Sequence, residues 1–223
     1  MQQVHWFYLC TMELINELVQ QYAELHTSSE DPLLREVSIF TNTQHADPQM
    51  LSGHLQGKVL EMISYMLRPR RILEIGTFTG YSALCLAKGL TTDGLLHTID
   101  IREADVQLAK SYFEKSENSH KIISHCGNAI SVIETLDEEW DLVFIDADKP
   151  AYIDYFNLVF PRLRKNGIIL ADNVFFHGQV LDNPVSGKSA KGIDAFNKFV
   201  NDRNDIEKVM LTIRDGLYLI RKL

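Results

Sequence analysis

A doubly wound α/β fold, with a mostly parallel sheet covered by helices on both faces, is what this sequence predicts. Three observations carry that reading. Short apolar runs alternate with amphipathic stretches from residue 69 onward. The runs end in Gly, Asp and Asn rather than in hairpin turns, so their connections cross over and the strands lie parallel. The chain then closes with two strand-like segments joined by Asp215-Gly216, a hairpin signal that adds an antiparallel pair.

The elements follow in order. Residues 11–25 have helical spacing at Met12, Ile15, Leu18, Val19 and Tyr22. Thr27-Ser28-Ser29-Glu30-Asp31-Pro32 breaks that pattern. A second helix is predicted over 48–67, with Leu51, Leu55, Val59, Met62, Ile63 and Met66 on one side. Strands are predicted at 71–75, 95–100, 121–125, 142–146 and 168–172, and helices at 81–90, 103–115, 128–136 and 152–163. The hairpin pairs 208–213 with 217–221. Residues 175–192, with Gly178, Pro184, Gly187 and Gly192, read as a long loop over a site. The chain of 223 residues is expected to form one domain, with a helical region at 1–68 and an α/β core at 69–223.

Composition narrows the function. A net charge of -8 disfavours general binding to nucleic acid or to anionic membrane. No apolar run spans a bilayer, and no basic stretch precedes the apolar residues 4–12, so a cytoplasmic protein with no membrane partner is expected. The three cysteines, Cys10, Cys85 and Cys126, lack disulfide or metal-ligand spacing, which fits a reducing compartment.

Two strand ends carry the chemistry. The first strand runs out into Glu74-Ile75-Gly76-Thr77-Phe78-Thr79-Gly80-Tyr81-Ser82, and the second ends at Asp100. Ligands of doubly wound sheets bind beyond the carboxyl ends of the strands, where an acid such as Asp100 can accept hydrogen bonds from ribose hydroxyls. A dinucleotide and S-adenosylmethionine both suit such a turn. The dinucleotide asks for a third glycine where Phe78 stands, whereas S-adenosylmethionine has no pyrophosphate to accommodate. The fourth strand leads into Asp146-Ala147-Asp148-Lys149 and the fifth into Asp172-Asn173. Asp146, Asp172 and Asn173 would supply three hard oxygen ligands, suited to Mg²⁺, Mn²⁺ or Ca²⁺ rather than to zinc. One such aspartate could equally be a helix cap; two strand ends with Lys149 beside them favour a site.

These segments resemble the metal-dependent class I O-methyltransferases, the family of catechol O-methyltransferase, caffeoyl-CoA O-methyltransferase and many bacterial relatives. The most specific pieces are Glu74-Ile75-Gly76 with Gly80-Tyr81-Ser82, then Ile145-Asp146-Ala147-Asp148-Lys149, then Asp172-Asn173, with Asp215-Gly216-Leu217 near the end. The resemblance implies a Rossmann-like methyltransferase sheet and a homodimer. It also implies residue roles. Met50 and Ser52 match positions on the methionine side of S-adenosylmethionine, and Glu74, Gly76 and Ser82 match positions around its amino-acid portion. Asp100 matches the ribose-binding acid and Asn128-Ala129, after Gly127, the adenine segment; Thr77, Phe78, Tyr81 and Ile101 join the same cofactor set. Asp146, Asp172 and Asn173 match metal ligands, Asp146 also lying close to the cofactor, and Lys149 matches the general base, with a pKa that burial and the metal would lower. Methylation of one hydroxyl of a catechol-like small molecule is the activity implied. The alternatives are a non-catalytic S-adenosylmethionine-binding protein of the same fold and a methyltransferase with a different acceptor. The sequence departs from the family at Phe78, at Phe176 and at Tyr218, the last standing where the animal catechol enzyme has a substrate-binding glutamate. Phe175, Phe176 and His177 are expected to shape the acceptor pocket.

Overall fold

Along the first central strand, successive side chains enter opposite cores: Ile72 packs in one apolar cluster and Leu73 and Ile75 in another. That alternation is what lets helices cover both faces of one sheet. The computed structural model describes residues 16–223. Its strands are β1 (Arg71–Ile75), β2 (Leu95–Asp100), β3 (Ile122–Cys126), β4 (Trp140–Ile145), β5 (Leu163–Asp172), β6 (Ile206–Leu211) and β7 (Leu217–Lys222). They form one sheet in the order β3-β2-β1-β4-β5-β7-β6. β3 through β5 are parallel, while β7 runs antiparallel between β5 and β6. The expected sheet is therefore present, hairpin included.

The described helices are α1 (Glu17–Leu25), α2 (Pro32–Gln44), α3 (Gly53–Leu67), α4 (Tyr81–Ala87), α5 (Glu103–Phe113), α6 (Ala129–Thr135), α7 (Tyr152–Val159) and α8 (Lys188–Asn201). One core cluster joins α2, α3, α4 and α5 to the sheet, and the other joins α6, α7 and α8 to its opposite face. No described helix is long and apolar enough to cross a membrane.

Three expectations need correction. Residues 33–47 received no element, yet α2 lies there: Asp31 caps it by accepting from the Leu34 amide at 2.9 Å, Pro32 occupies its first turn, and Leu34, Val37 and Thr41 form its buried face. The loop expected over 175–192 ends earlier, because α8 begins at Lys188 and buries Ala190, Ile193, Phe196 and Val200. Gly192 marks close approach rather than a loop: a Cβ there would sit 2.8 Å from the Pro150 Cα. The helix expected over 152–163 stops at Val159, and a 3-10 turn at Phe160–Arg162 leads into a β5 longer than expected. The part of the first helix expected before Asn16, and the apolar residues 4–12, lie outside the described residues.

The site is positioned by the shared direction of β1, β2, β3, β4 and β5, whose carboxyl ends meet at one edge. Backbone bonds continue past the strands there, from Gly76 N to Ile99 O (2.9 Å), from Gly127 N to Asp100 O (2.9 Å) and from Asp146 N to Ile75 O (2.8 Å). Gly76 has a φ of 105°, and a Cβ on it would lie 2.0 Å from the Asp146 carbonyl oxygen. Only glycine lets β1 turn off this close to β4. Gly76→Ala is expected to lower the unfolding free energy by more than about 3 kcal/mol, through strain and overlap together. Urea denaturation measures it; an unchanged midpoint would reject the close-approach reading.

Candidate active site

A cavity of about 710 Å³ opens at this edge. The turn after β1 supplies Gly76, Thr77 and Phe78 to its wall, and the start of α4 supplies Tyr81 and Ser82. Asp100 and Ile101 come from the end of β2, Asn128 and Ala129 from the β3–α6 junction, and Met50 and Ser52 from the segment before α3. Asp146, Lys149, Asp172 and Asn173 close the far side. Every site residue expected from sequence borders this one cavity except Glu74.

Glu74 lies behind the wall, fully buried. Strand alternation explains the correction, since Glu74 shares its face of β1 with Ile72 and points toward α4 rather than out of the strand end. Its carboxyl accepts from Ser82 Oγ at 2.6 Å and from Thr98 Oγ1 at 2.5 Å, so it fixes the side chain of Ser82, a residue that does border the cavity. Burial, only partly offset by these bonds and reinforced by Asp146 and Asp100, pushes its pKa up to about 8.

Asp100 is held by two amides: Phe78 N donates to Oδ2 at 2.8 Å and Arg102 N to Oδ1 at 2.9 Å. Each oxygen keeps lone-pair capacity toward the cavity. The Phe78 ring packs edge-on against His45 (4.6 Å between centroids) and beneath Arg102 (5.4 Å), leaving it 8% exposed.

At the opposite end, Lys149 Nζ donates to Asp146 Oδ1 at 2.8 Å, to Asn173 Oδ1 at 2.7 Å and to the Tyr152 hydroxyl at 2.8 Å. Tyr152 in turn donates toward the Asp172 carbonyl (3.1 Å) and the Ile145 carbonyl (3.3 Å), fixing the lysine's far partner. The Asp172 carboxylate is buried and accepts from Gln56 Nε2 at 2.6 Å and from the Asn173 amide at 2.8 Å. Burial, then the nearby Asp146, raises Asp172 above the usual carboxylate range. Burial also works against the charge on Lys149, but Asp146 and Asp172 outweigh it and hold the ammonium above the ordinary lysine range. In the protein alone the carboxylates thus outweigh burial at Lys149; the lowering expected of it also requires a bound metal. Among the described residues no group of three or more His, Cys, Asp and Glu side chains is arranged to hold a metal ion; the oxygen set here is two carboxylates and an amide.

The O-methyltransferase family model matches residues 24–223. The chain belongs to the O-methyltransferase family. This methyltransferase is 31% identical over 160 residues to a catechol O-methyltransferase of Niastella koreensis, covering 70% of this chain and 72% of that one. It is 30% identical over 214 residues to a probable caffeoyl-CoA O-methyltransferase of Dictyostelium discoideum, covering 93% of each. Among solved structures, it resembles the Bacillus cereus O-methyltransferase in complex with S-adenosylhomocysteine, with a TM-score of 0.85, 28% identity and coverage of 92% and 97%. The S-adenosylhomocysteine-bound methyltransferase of Podospora anserina gives a TM-score of 0.86 at 26% identity, with 100% of both chains covered.

Sequence reasoning missed several residues of the methyltransferase's site. Gln56 lies off the apolar side expected for α3, on the face that the structure buries with Leu60 and Ile63, and Tyr152 was legible only by its spacing of three from Lys149. Arg214 and Asp215 also border the cavity, from the hairpin turn; Phe176 and His177 border it as expected. Tyr218 does not: it is 5% exposed and packs in the core on the α7–α8 face. Phe175 packs against Gly216 instead of lining the cavity.

The raised Glu74 pKa has a stability consequence. Between its ordinary value of 4.5 and about 8, the folded protein holds a proton that the unfolded chain has released. Stability from this group is therefore complete below 4.5 and is lost as pH rises toward about 8. Glu74→Gln removes the titration, so its melting temperature relative to wild type is expected to climb across that window. A constant offset in a pH series of thermal melts would reject the assignment.

Proposed function

We propose that this methyltransferase uses S-adenosylmethionine and a divalent metal, Mg²⁺ first among Mg²⁺, Mn²⁺ and Ca²⁺, to methylate one hydroxyl of a catechol-like small molecule. The observation that carries the reading is the convergence of the Asp146 and Asn173 side-chain oxygens on a single cationic centre, with the buried Asp172 carboxylate adjoining, in the cavity that holds Asp100 and the Gly76 turn. The donor set fits a hard cation: all three ligands are oxygen, and a charged Lys149 already satisfies two of them. The S-adenosylhomocysteine complexes of the Bacillus and Podospora proteins support the choice of methyl donor.

Met50, Ser52 and Ser82 would surround the amino-acid end of the donor, Asp100 would accept from the ribose hydroxyls, and Ile101, Asn128 and Ala129 would border the adenine. Asp146, Asp172 and Asn173 would hold the metal. Bound there, it would supply Lewis acidity that lowers the pKa of a phenol, ordinarily ~10 by analogy with tyrosine. The acceptor oxygen then bonds to the methyl carbon as the carbon–sulfur bond breaks, in line, leaving S-adenosylhomocysteine. For Lys149 to take the phenol proton, Asp146 and Asn173 must first turn their oxygens to the metal and so relieve the contacts that keep it charged. The reading includes a cytoplasmic setting.

It also includes a homodimer. None of α1 is buried, yet Leu18, Tyr22 and Leu25 are 73%, 66% and 80% exposed at helical spacing. Met62, Tyr65 and Met66 on the adjoining α3 are also exposed. Apolar stripes of this kind mark contact surfaces.

Labelled S-adenosylmethionine is expected to methylate a catechol but not the matched monophenol. Transfer should stop in EDTA and return with Mg²⁺, and Asp146→Ala should reduce it at least about a hundredfold. Metal-independent transfer would overturn the ligand assignment. For the dimer, Leu18→Glu with Met66→Glu is expected to halve the mass seen by light scattering; a wild-type monomer would remove the interface.

A further inference from the structure

The segment between α2 and α3 is fastened at both ends. It carries Gln49, Met50, Leu51 and Ser52, all of which border the cavity. Burial does not hold its middle, where Met50 is 44% exposed. At the α3 end, Arg214 donates to the carbonyls of Leu51 and Ser52. At the α2 end the fastening is His45. Asp47 N donates to its Nδ1 at 3.0 Å, and its Nε2 lies 3.1 Å from Asp105 Oδ1 on α5. An amide N–H can only donate, so Nδ1 is the acceptor and Nε2 carries the hydrogen given to Asp105.

That bond is one link in a closed circuit. Arg102 Nε stands 2.6 Å from Asp105 Oδ2, and Arg102 Nη1 donates to Asp47 Oδ2 at 3.1 Å. His45, Asp105, Arg102 and Asp47 therefore tie the segment to the β2–α5 junction, where Asp100 and Ile101 lie. His45 and Asp105 are its sheltered link, with side chains 13% and 8% exposed against 37% and 41% for Arg102 and Asp47. A bond kept from water holds better than an exposed ion pair. The circuit also bears on Phe78: the His45 imidazole packs edge-on against its ring, the Arg102 guanidinium lies over it, and the Phe78 amide donates to Asp100.

We infer that His45 is a positioning residue for the methyl donor, holding the segment that bears Met50 and Ser52 against the junction that bears Asp100. The inference rests on the S-adenosylmethionine reading above. Neither His45 nor Asp105 borders the cavity, so both act through the walls on either side of the donor. On that reading Met50 and Ser52 flank its methionine side and Asp100 its ribose. A donor held between two walls leaves when they part, and the circuit resists their parting. Its loss is felt first in how long the donor stays bound.

The test is binding of S-adenosylhomocysteine to wild type and to His45→Phe, His45→Gln and Asp105→Asn, by calorimetry for affinity and by surface plasmon resonance for dissociation rate. His45→Phe keeps a ring against Phe78 and loses both hydrogen bonds. Its dissociation constant is expected to rise at least roughly tenfold, carried by faster dissociation. His45→Gln keeps an N–H donor within reach of Asp105 and should return to within about threefold of wild type. Asp105→Asn weakens the same bond from the α5 side, should speed dissociation about threefold or more, and carries the test if His45→Phe does not fold. A merely structural His45 would lower the melting temperature of the ligand-free protein and leave binding by the folded protein unchanged. Wild-type dissociation rates in both His45→Phe and Asp105→Asn, or no recovery in His45→Gln, would overturn the inference alone. No binding by wild type would overturn the S-adenosylmethionine reading, and the inference with it.

Discussion

The parting of β1 from β4 at Gly76 is the constraint on which the site depends. Two adjacent parallel strands must diverge there to open a crevice, yet their backbones stay in contact, Asp146 N bonding to Ile75 O while Gly76 N bonds across to Ile99 O. The sheet is thus pinned from β2 through β1 to β4 up to the last residue before the cavity. Side chains that leave the strands just beyond this point, Asp100 on one side and Asp146 on the other, inherit the precision of the sheet rather than the latitude of loops. Glu74 contributes from behind, tying β1 to β2 through Thr98 and to α4 through Ser82.

The electrostatics at the other end of the cavity follow from the same crowding. Asp146 and Asp172 are brought together by adjacent parallel strands, and one of them is buried. Two carboxylates at this spacing require a cation, a proton or strong donors. Without a metal the chain meets that demand internally: Gln56 and the Asn173 amide serve Asp172, and Lys149 serves Asp146 and Asn173. A divalent ion would have to replace the lysine as their counter-charge. The ammonium would then lose the interactions that raise its pKa while burial continued to lower it. In the proposed reaction, charge neutralisation and proton acceptance by Lys149 would therefore be alternative states of one cluster.

The strand ends were legible because polar residues following a continuous apolar run are a local pattern: Asp100, Asp146 and Asp172-Asn173 needed no knowledge of packing. β1 and β2 matched residue for residue for the same reason. What escaped was decided by tertiary contact. Gly192 reads as a loop residue until α8 is seen pressed on Lys149-Pro150, and Gln56 reads as a surface glutamine until α3 is laid beside β5. Glu74 is matched to the methyl donor by the family resemblance alone, and alternation along β1 sets it on the face that meets α4, behind the cavity wall. Tyr218 departs from the substrate-binding glutamate of the animal catechol enzyme, and β7 buries it in the core.

The hairpin turn shows how far apart in sequence the two halves of the site are joined. Arg214 reaches the carbonyls of Leu51 and Ser52, the segment that carries the residues assigned to the methionine side of the donor. Its neighbour Asp215 holds the amides of Phe175, through its carbonyl, and of His177, through its carboxylate, in the segment facing the acceptor. One tight turn therefore fixes both segments, between which, on the proposed reading, the methyl group would pass. In-line transfer is sensitive to misplacement on the ångström scale, and hydrogen bonds from one turn to both segments limit such displacement better than either segment could alone. Placing the turn on β7, inserted between β5 and β6, is what brings it over the end of β5; a hairpin added at the outer edge of the sheet in chain order would leave β6 there instead.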